Sequence, residues 1–189
     1  MLRSLLAASC GFVLLVGRVA AEDKMPIELK ILIKKESIAW PYDVGPKDFE
    51  AKLKELAKAK DPRYPNPPAL DMVLEFKNTT KDKVNLYLEG DASLMTLALK
   101  GPGVTTANPM LAFTTDFRLP KVIALESGKT HEVQLKGLTD GFRRASRYIY
   151  PLAPGEYTLS ATYQLSTVDG GKAALLKSGE AKFKIDEPK

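Results

Sequence analysis

The sequence predicts an all-β fold, an antiparallel β-sandwich of seven or eight short strands with one short helical insertion between the first two. Three observations point there. Apolar and polar residues alternate through most of the chain, and a period of two turns one face of each strand inward. Turn-forming residues separate these runs at short intervals. A single stretch, about 46–60, changes to helical spacing.

The elements follow in order. Ile27, Leu29, Ile31 and Ile33 share a face opposed by Glu28, Lys30 and Lys34. Gly45-Pro46-Lys47-Asp48-Phe49-Glu50 then opens a helix with acids in its first turn, and Phe49, Leu53 and Leu56 form its apolar stripe. Asp61-Pro62 ends it, and Tyr64-Pro65-Asn66-Pro67-Pro68 leads out in an extended conformation. So narrow a stripe predicts a cover for a sheet edge or sandwich end, which blocks strand-to-strand aggregation; a binding lid is the alternative.

Leu70, Met72, Leu74 and Phe76 make the next alternating run, followed by Val84, Leu86 and Leu88, then Met95, Leu97 and Leu99. Val133 and Leu135 alternate with Glu132, Gln134 and Lys136. Tyr157, Leu159, Ala161, Tyr163 and Leu165 form the longest run, opposed by Thr158, Ser160, Thr162 and Gln164, and Ala181, Phe183 and Ile185 close the series. Asn78-Thr79-Thr80-Lys81-Asp82, Gly101-Pro102-Gly103, Ser127-Gly128-Lys129, Pro154-Gly155 and Asp169-Gly170-Gly171 supply the turns. Pro102, Pro109 and Pro120 break 101–120, where Ala112 to Phe117 suits a short edge strand.

Residues 1–21 read as a secretory signal peptide cut after Ala21: Arg3, an apolar run from Ser4 to Gly17, then Val19-Ala20-Ala21. The run is shorter than the roughly 20 residues that span a bilayer as a helix, so the expected location is secreted or periplasmic, with no membrane span after cleavage. Lipid attachment at Cys10 is a minor alternative. Cys10 is the only cysteine, so a chain cut after Ala21 has no thiol for disulfides, catalysis or metal binding. Losing Arg3 and Arg18 would lower the formal charge from +5 to +3, too mild to argue for nucleic acid.

Leu152-Ala153-Pro154-Gly155-Glu156-Tyr157 is the most specific internal motif. A Pro-Gly turn before a Tyr that opens a long strand looks like the tyrosine corner of Greek-key sandwiches, giving Pro154, Gly155 and Tyr157 a structural role. The order of motifs also resembles that of a bacterial Ig-like group. It runs through Leu74-Glu75-Phe76-Lys77-Asn78-Thr79, Val84-Asn85-Leu86, Ile123-Ala124-Leu125-Glu126-Ser127-Gly128-Lys129 and Pro154-Gly155-Glu156-Tyr157-Thr158-Leu159. The group includes the domain named for an intracellular proteinase inhibitor, together with secreted relatives. The resemblance covers about 70–167 and implies an Ig-like Greek-key β-sandwich. The helical insertion and the leader depart from the compact inhibitor-like domain, and no inhibitory residue is carried over.

Reactive chemistry has little to draw on. His131 is the sole histidine, which leaves the usual zinc sets unfilled, and no Gly-x-Ser-x-Gly elbow is present. Glu89-Gly90-Asp91 and Asp169-Gly170-Gly171 read as plain turns rather than calcium loops. No Gly-rich loop opens a helix, so nucleotide binding is not expected. Carboxylate-only catalysis depends on residues that meet only in the fold. Among Phe142 to Tyr150, residues Arg143, Arg144, Arg147, Tyr148 and Tyr150 form the candidate partner surface, since Arg and Tyr anchor interfaces; a solvated loop is the competing reading. Asn78-Thr79-Thr80 is a glycosylation sequon in a turn. Trp40 is expected to plug a sandwich end. The expected protein is a non-catalytic binding or structural module of the cell envelope, without cofactor, catalytic residue or metal. Its expected partner is another envelope protein or a polysaccharide. Inhibitor, chaperone-like partner and carbohydrate-binding module are the alternatives.

Overall fold

A computed structural model describes residues 26–91, 93–109, 116–141 and 146–188. The expected leader, Cys10, Arg143, Arg144 and most of the 112–117 strand lie outside them.

The described chain is mostly β, in several antiparallel sheets with one short helix. Strand β1 (Ile27–Ile33) pairs with β3 (Met72–Asn78), which pairs on its other side with β8 (Thr130–Leu135). The register sets Ile31 beside Leu74 and Leu74 beside Val133. Alternation therefore places the apolar residues of all three strands on one face, while Lys30, Glu75 and Glu132 align on the other. The long strand β11 (Gly155–Ser166) organises a second sheet. β5 (Leu94–Lys100) lines one of its edges. β13 (Ala181–Ile185) and β12 (Lys172–Lys177) share the opposite edge, one at the start and one at the end of β11. β2 (Ser37–Ile38) runs parallel to β13. The two sheets meet through their apolar faces, with the Phe76 and Tyr163 rings edge to face at 5.1 Å.

Two smaller ladders complete the fold: β4 (Val84–Leu88) with β7 (Lys121–Leu125), and β6 (Val104–Ala107) with β10 (Arg147–Pro151) and β9 (Thr139–Asp140). Thirteen strands thus appear among the described residues, against seven or eight expected. β2 and β9 are only two residues long. β12 (Lys-Ala-Ala-Leu-Leu-Lys) lacks strict alternation, and β6 and β10 lie in proline-flanked or arginine-rich sequence that reads as loop.

Helix α1 (Pro46–Leu56) follows β2 and ends at the last residue of its apolar stripe, four residues short of the expected limit of about 60. Eleven residues form a marginal helix alone, so tertiary burial must hold it. Phe49 and Leu53 are buried in the common core, each contributing roughly 1.5–3 kcal/mol. The Phe49 ring stacks on Tyr42 and meets Tyr150 of β10 edge to face at 5.8 Å. Trp40 sits buried beside them and donates its indole N–H to Val44 O at 2.7 Å. A cavity of about 120 Å³ separates α1 from Thr105, Thr106 and Ala107 of β6, so the helix covers this third ladder.

Asn78 is fully buried at the end of β3. Its Nδ2 donates to Asp82 O and Leu125 O at 2.8 and 2.9 Å, and its Oδ1 accepts from Thr80 N at 2.9 Å. The sequon amide is therefore a lock joining the β3–β4 turn to β7, not a surface acceptor.

Candidate functional site

The Pro154-Gly155-Tyr157 motif lies where the chain enters β11. The Tyr157 hydroxyl donates to Ala153 O at 2.6 Å, with Gly103 O as a second acceptor at 3.1 Å, and accepts from Ala153 N. The phenol thus bonds four residues back and also reaches the turn before β6. Its ring lies on Phe183 at 5.6 Å on one side. On the other it lies so close to Gly101 that a Cβ there would overlap it. Burial pushes the Tyr157 phenol up, partly offset by its backbone hydrogen bonds. All of this is architectural.

The 142–150 cluster divides. Tyr150, expected at a partner surface, is 0% exposed, and its hydroxyl donates to Pro65 O at 2.6 Å. It is a core residue, because β10 turns Tyr150 under α1. Arg147 is committed to Asp140: Nε donates to Oδ1 at 3.0 Å and Nη2 to Oδ2 at 2.5 Å. The same pair serves β5. Asp140 Oδ2 accepts from Leu97 N at 2.6 Å, and Arg147 Nη2 donates to Leu97 O at 2.9 Å. A carboxylate and a guanidinium thereby occupy the backbone edge of β5 as a neighbouring strand would. The Asp140 hydrogen bond holds Arg147 still more firmly protonated. Tyr148 is half-buried and lines a cleft of about 430 Å³ with Asn66, Gln134 and Thr139.

A larger cleft, about 600 Å³, opens at the end of the molecule where the turns after β4 and before β7 meet Gly141. Glu89, Gly90, Arg118, Leu119 and Lys121 form its rim, and Met95 of β5, Tyr163 of β11 and Ser93, just before β5, line it. Its loops are tightly fastened. Asp91 N donates to Arg118 O at 2.9 Å, Lys121 pairs with Glu89 at 2.7 Å, and Arg118 pairs with Asp91 at 3.4 Å. A Cβ on Gly90 would stand 2.7 Å from Pro120 N, so only glycine permits this approach. Glu89 is the one non-glycine residue with positive φ (63°) among the described residues, a conformation costing on the order of 1–3 kcal/mol that must be held from outside. Its N–H donates to Tyr163 Oη at 3.2 Å. Below it, Ser93 Oγ and Ser166 Oγ are hydrogen-bonded at 2.7 Å. Burial pushes the Tyr163 phenol up, partly offset by the Glu89 and Ser93 hydrogen bonds.

Both cations of the rim are engaged, Arg118 by Asp91 and Lys121 by Glu89, and Leu119 and Met95 add apolar contact. Sequence reasoning treated Glu89-Gly90-Asp91 as a plain turn and Tyr163 as core. The strained glutamate carries no sequence mark, since αL positions are usually signalled by Gly, Asn or Asp. His131 stands on β8 opposite Phe76. No group of three or more His, Cys, Asp or Glu among the described residues is arranged to hold a metal, and no helix among them is long and apolar enough to cross a membrane.

No protein-family profile matches the chain, and no curated protein sequence matches it. A solved structure of a β-glucosidase from Erythrobacter marinus is similar over 85% of this chain at a TM-score of 0.32 and 10% identity. The chain spans 15% of the length of that protein. A likeness at this level carries no weight for fold or chemistry.

Proposed function

We propose that this chain is an exported, non-catalytic module with an Ig-like Greek-key β-sandwich fold, and that it binds another envelope protein through the loop end around the larger cleft. The tyrosine-corner hydrogen bonds at the entry to β11 and the facing apolar sheets support the fold reading. One observation carries the function. Phe117, Leu119 and Val168 are 62, 66 and 68% exposed, and Phe117 and Leu119 lie against the Gly170 turn, next to Val168. Large apolar side chains gathered at one end of a small protein mark an interaction surface. A carbohydrate-binding face is less favoured: the outward residues of β11 are Thr158, Ser160, Thr162 and Gln164, with no aromatic for a sugar to stack on.

The test is affinity capture from envelope extract with the native chain and with a Phe117→Ser, Leu119→Ser double variant. The native chain should retain a partner that the variant loses while its circular dichroism stays the same. Equal capture by both refutes the loop-end surface. Intact mass of the exported protein should begin at Glu22; lipid on Cys10 would reverse the leader reading.

A further inference from the structure

We infer that residues 39–64, with α1 at their centre, form a hinged lid that opens as one unit from the β6–β10 ladder while the sheets stay folded. The pattern of attachments carries this. On one side the last fixed point is Ile38, whose carbonyl accepts from Asp186 N at 2.9 Å. On the other it is Pro65, whose carbonyl accepts from the Tyr150 hydroxyl at 2.6 Å. Between these points the polar bonds close within the segment itself: Trp40 Nε1 to Val44 O, the turns of α1, and Lys54 with Glu50. Among the described residues, no hydrogen bond or ion pair ties 39–64 to the remainder of the chain.

Apolar side chains alone hold the segment down. Trp40, Phe49 and Leu53 are buried in the core, and Tyr42 and Tyr64 pack against it. The seat is imperfect in two ways. The Tyr42 hydroxyl is buried without a hydrogen-bond partner among the described residues. Water would bond that group in the open position, so its burial penalises the closed one. The cavity of about 120 Å³ under α1 also deprives Leu53 and Ala57 of close packing on Thr105, Thr106 and Ala107. Opening thus breaks no polar bond to the sheets and relieves an orphaned hydroxyl, so it costs far less than unfolding the ladders. The lid moves as a unit because the Phe49 ring stacks on Tyr42 and meets Trp40 edge to face at 6.3 Å. It uncovers the Tyr150 ring and β6, the end strand of its ladder. An end strand carries unpaired backbone groups, so the lid switches this edge between masked and open.

The test is native-state hydrogen exchange of the ¹⁵N-labelled chain in urea below its unfolding transition. The α1 amides from Phe49 to Ala57 and the Trp40 indole N–H should share one protection factor, about a hundredfold or more below that of the β11 amides, with a much shallower dependence on urea. Tyr42→Phe removes the orphaned hydroxyl and keeps the ring, so it should raise the protection of α1 and of Trp40 together, about fivefold. Leu53→Ala should lower both together by about tenfold or more, while the β circular dichroism signal persists. The lid is refuted if the α1 amides exchange with the protection and urea dependence of β11. It is refuted equally if Trp40 and α1 respond differently to either variant, as fraying of the helix alone would make them, or if Tyr42→Phe lowers protection.

Discussion

The Asp140–Arg147 pair yields a prediction with a definite order. Asp140 is 2% exposed and accepts from Leu97 N–H and twice from Arg147, whose side chain is 34% exposed. Breaking a buried pair costs about 3–5 kcal/mol, mainly from the charge left behind. The two ways of breaking it leave different charges. Asp140→Ala strands a guanidinium that can turn partly to water, which screens it, and it orphans the Leu97 N–H; the expected loss is about 3 kcal/mol. Arg147→Met strands a carboxylate with almost no access to water, so its loss should be the greater, about 4 kcal/mol. Urea unfolding followed by Trp40 fluorescence measures both. In a chain of this size, each kcal/mol corresponds to roughly 2–4 °C in melting temperature. The double variant should recover much of the sum, since neither charge then remains. Equal costs, the reverse order, or losses below about 1 kcal/mol would refute the idea that this pair seals the β5 edge.

Three further outcomes follow from the same contacts. Tyr157→Phe should cost about 1–2 kcal/mol by calorimetry, because Ala153 and Gly103 lose a bonded hydroxyl while the ring stays. Gly101→Ala should cost more, on the order of 2–3 kcal/mol, since its Cβ must displace the Tyr157 ring from Phe183. The phenols of Tyr42, Tyr150, Tyr157 and Tyr163 are all pushed above the ordinary 10.0, burial being the first cause in each. The unfolded chain then releases these protons at lower pH than the folded one. Stability should hold below pH 10 and fall as pH rises beyond it. Of the seven tyrosines, these four should give their tyrosinate absorbance only together with loss of the β circular dichroism signal; ionisation of all seven in a chain that keeps that signal would contradict the burial of these rings.

Much of the architecture was legible because alternation is a strong signal where one face is buried. Ile27 to Ile33, Leu70 to Phe76 and Tyr157 to Leu165 carry it plainly, and Phe49 and Leu53 mark the helix. β10 was not legible, because Arg147 and Tyr148 look like solvent-seeking residues until Asp140 is seen to take the guanidinium. Long amphipathic side chains conceal burial in this way. The cleft was invisible for another reason. Glu89, Ser93, Lys121, Tyr163 and Ser166 come from three separated segments, and only the β5–β11 register brings Ser93 near Tyr163. Its one local oddity, the positive φ of Glu89, is imposed by tertiary contacts.

The enclosed amide of Asn78 bears on how the protein can be produced. Both of its N–H groups are spent on carbonyls in a space with no opening to solvent. An oligosaccharide attached to the nascent chain would remove one donor and insert a bulky polar group where none fits. In a host whose glycosylating compartment the chain is made to enter, sugar transfer and folding therefore compete for the same side chain, and the product should separate into a native unmodified fraction and a modified fraction that never matures.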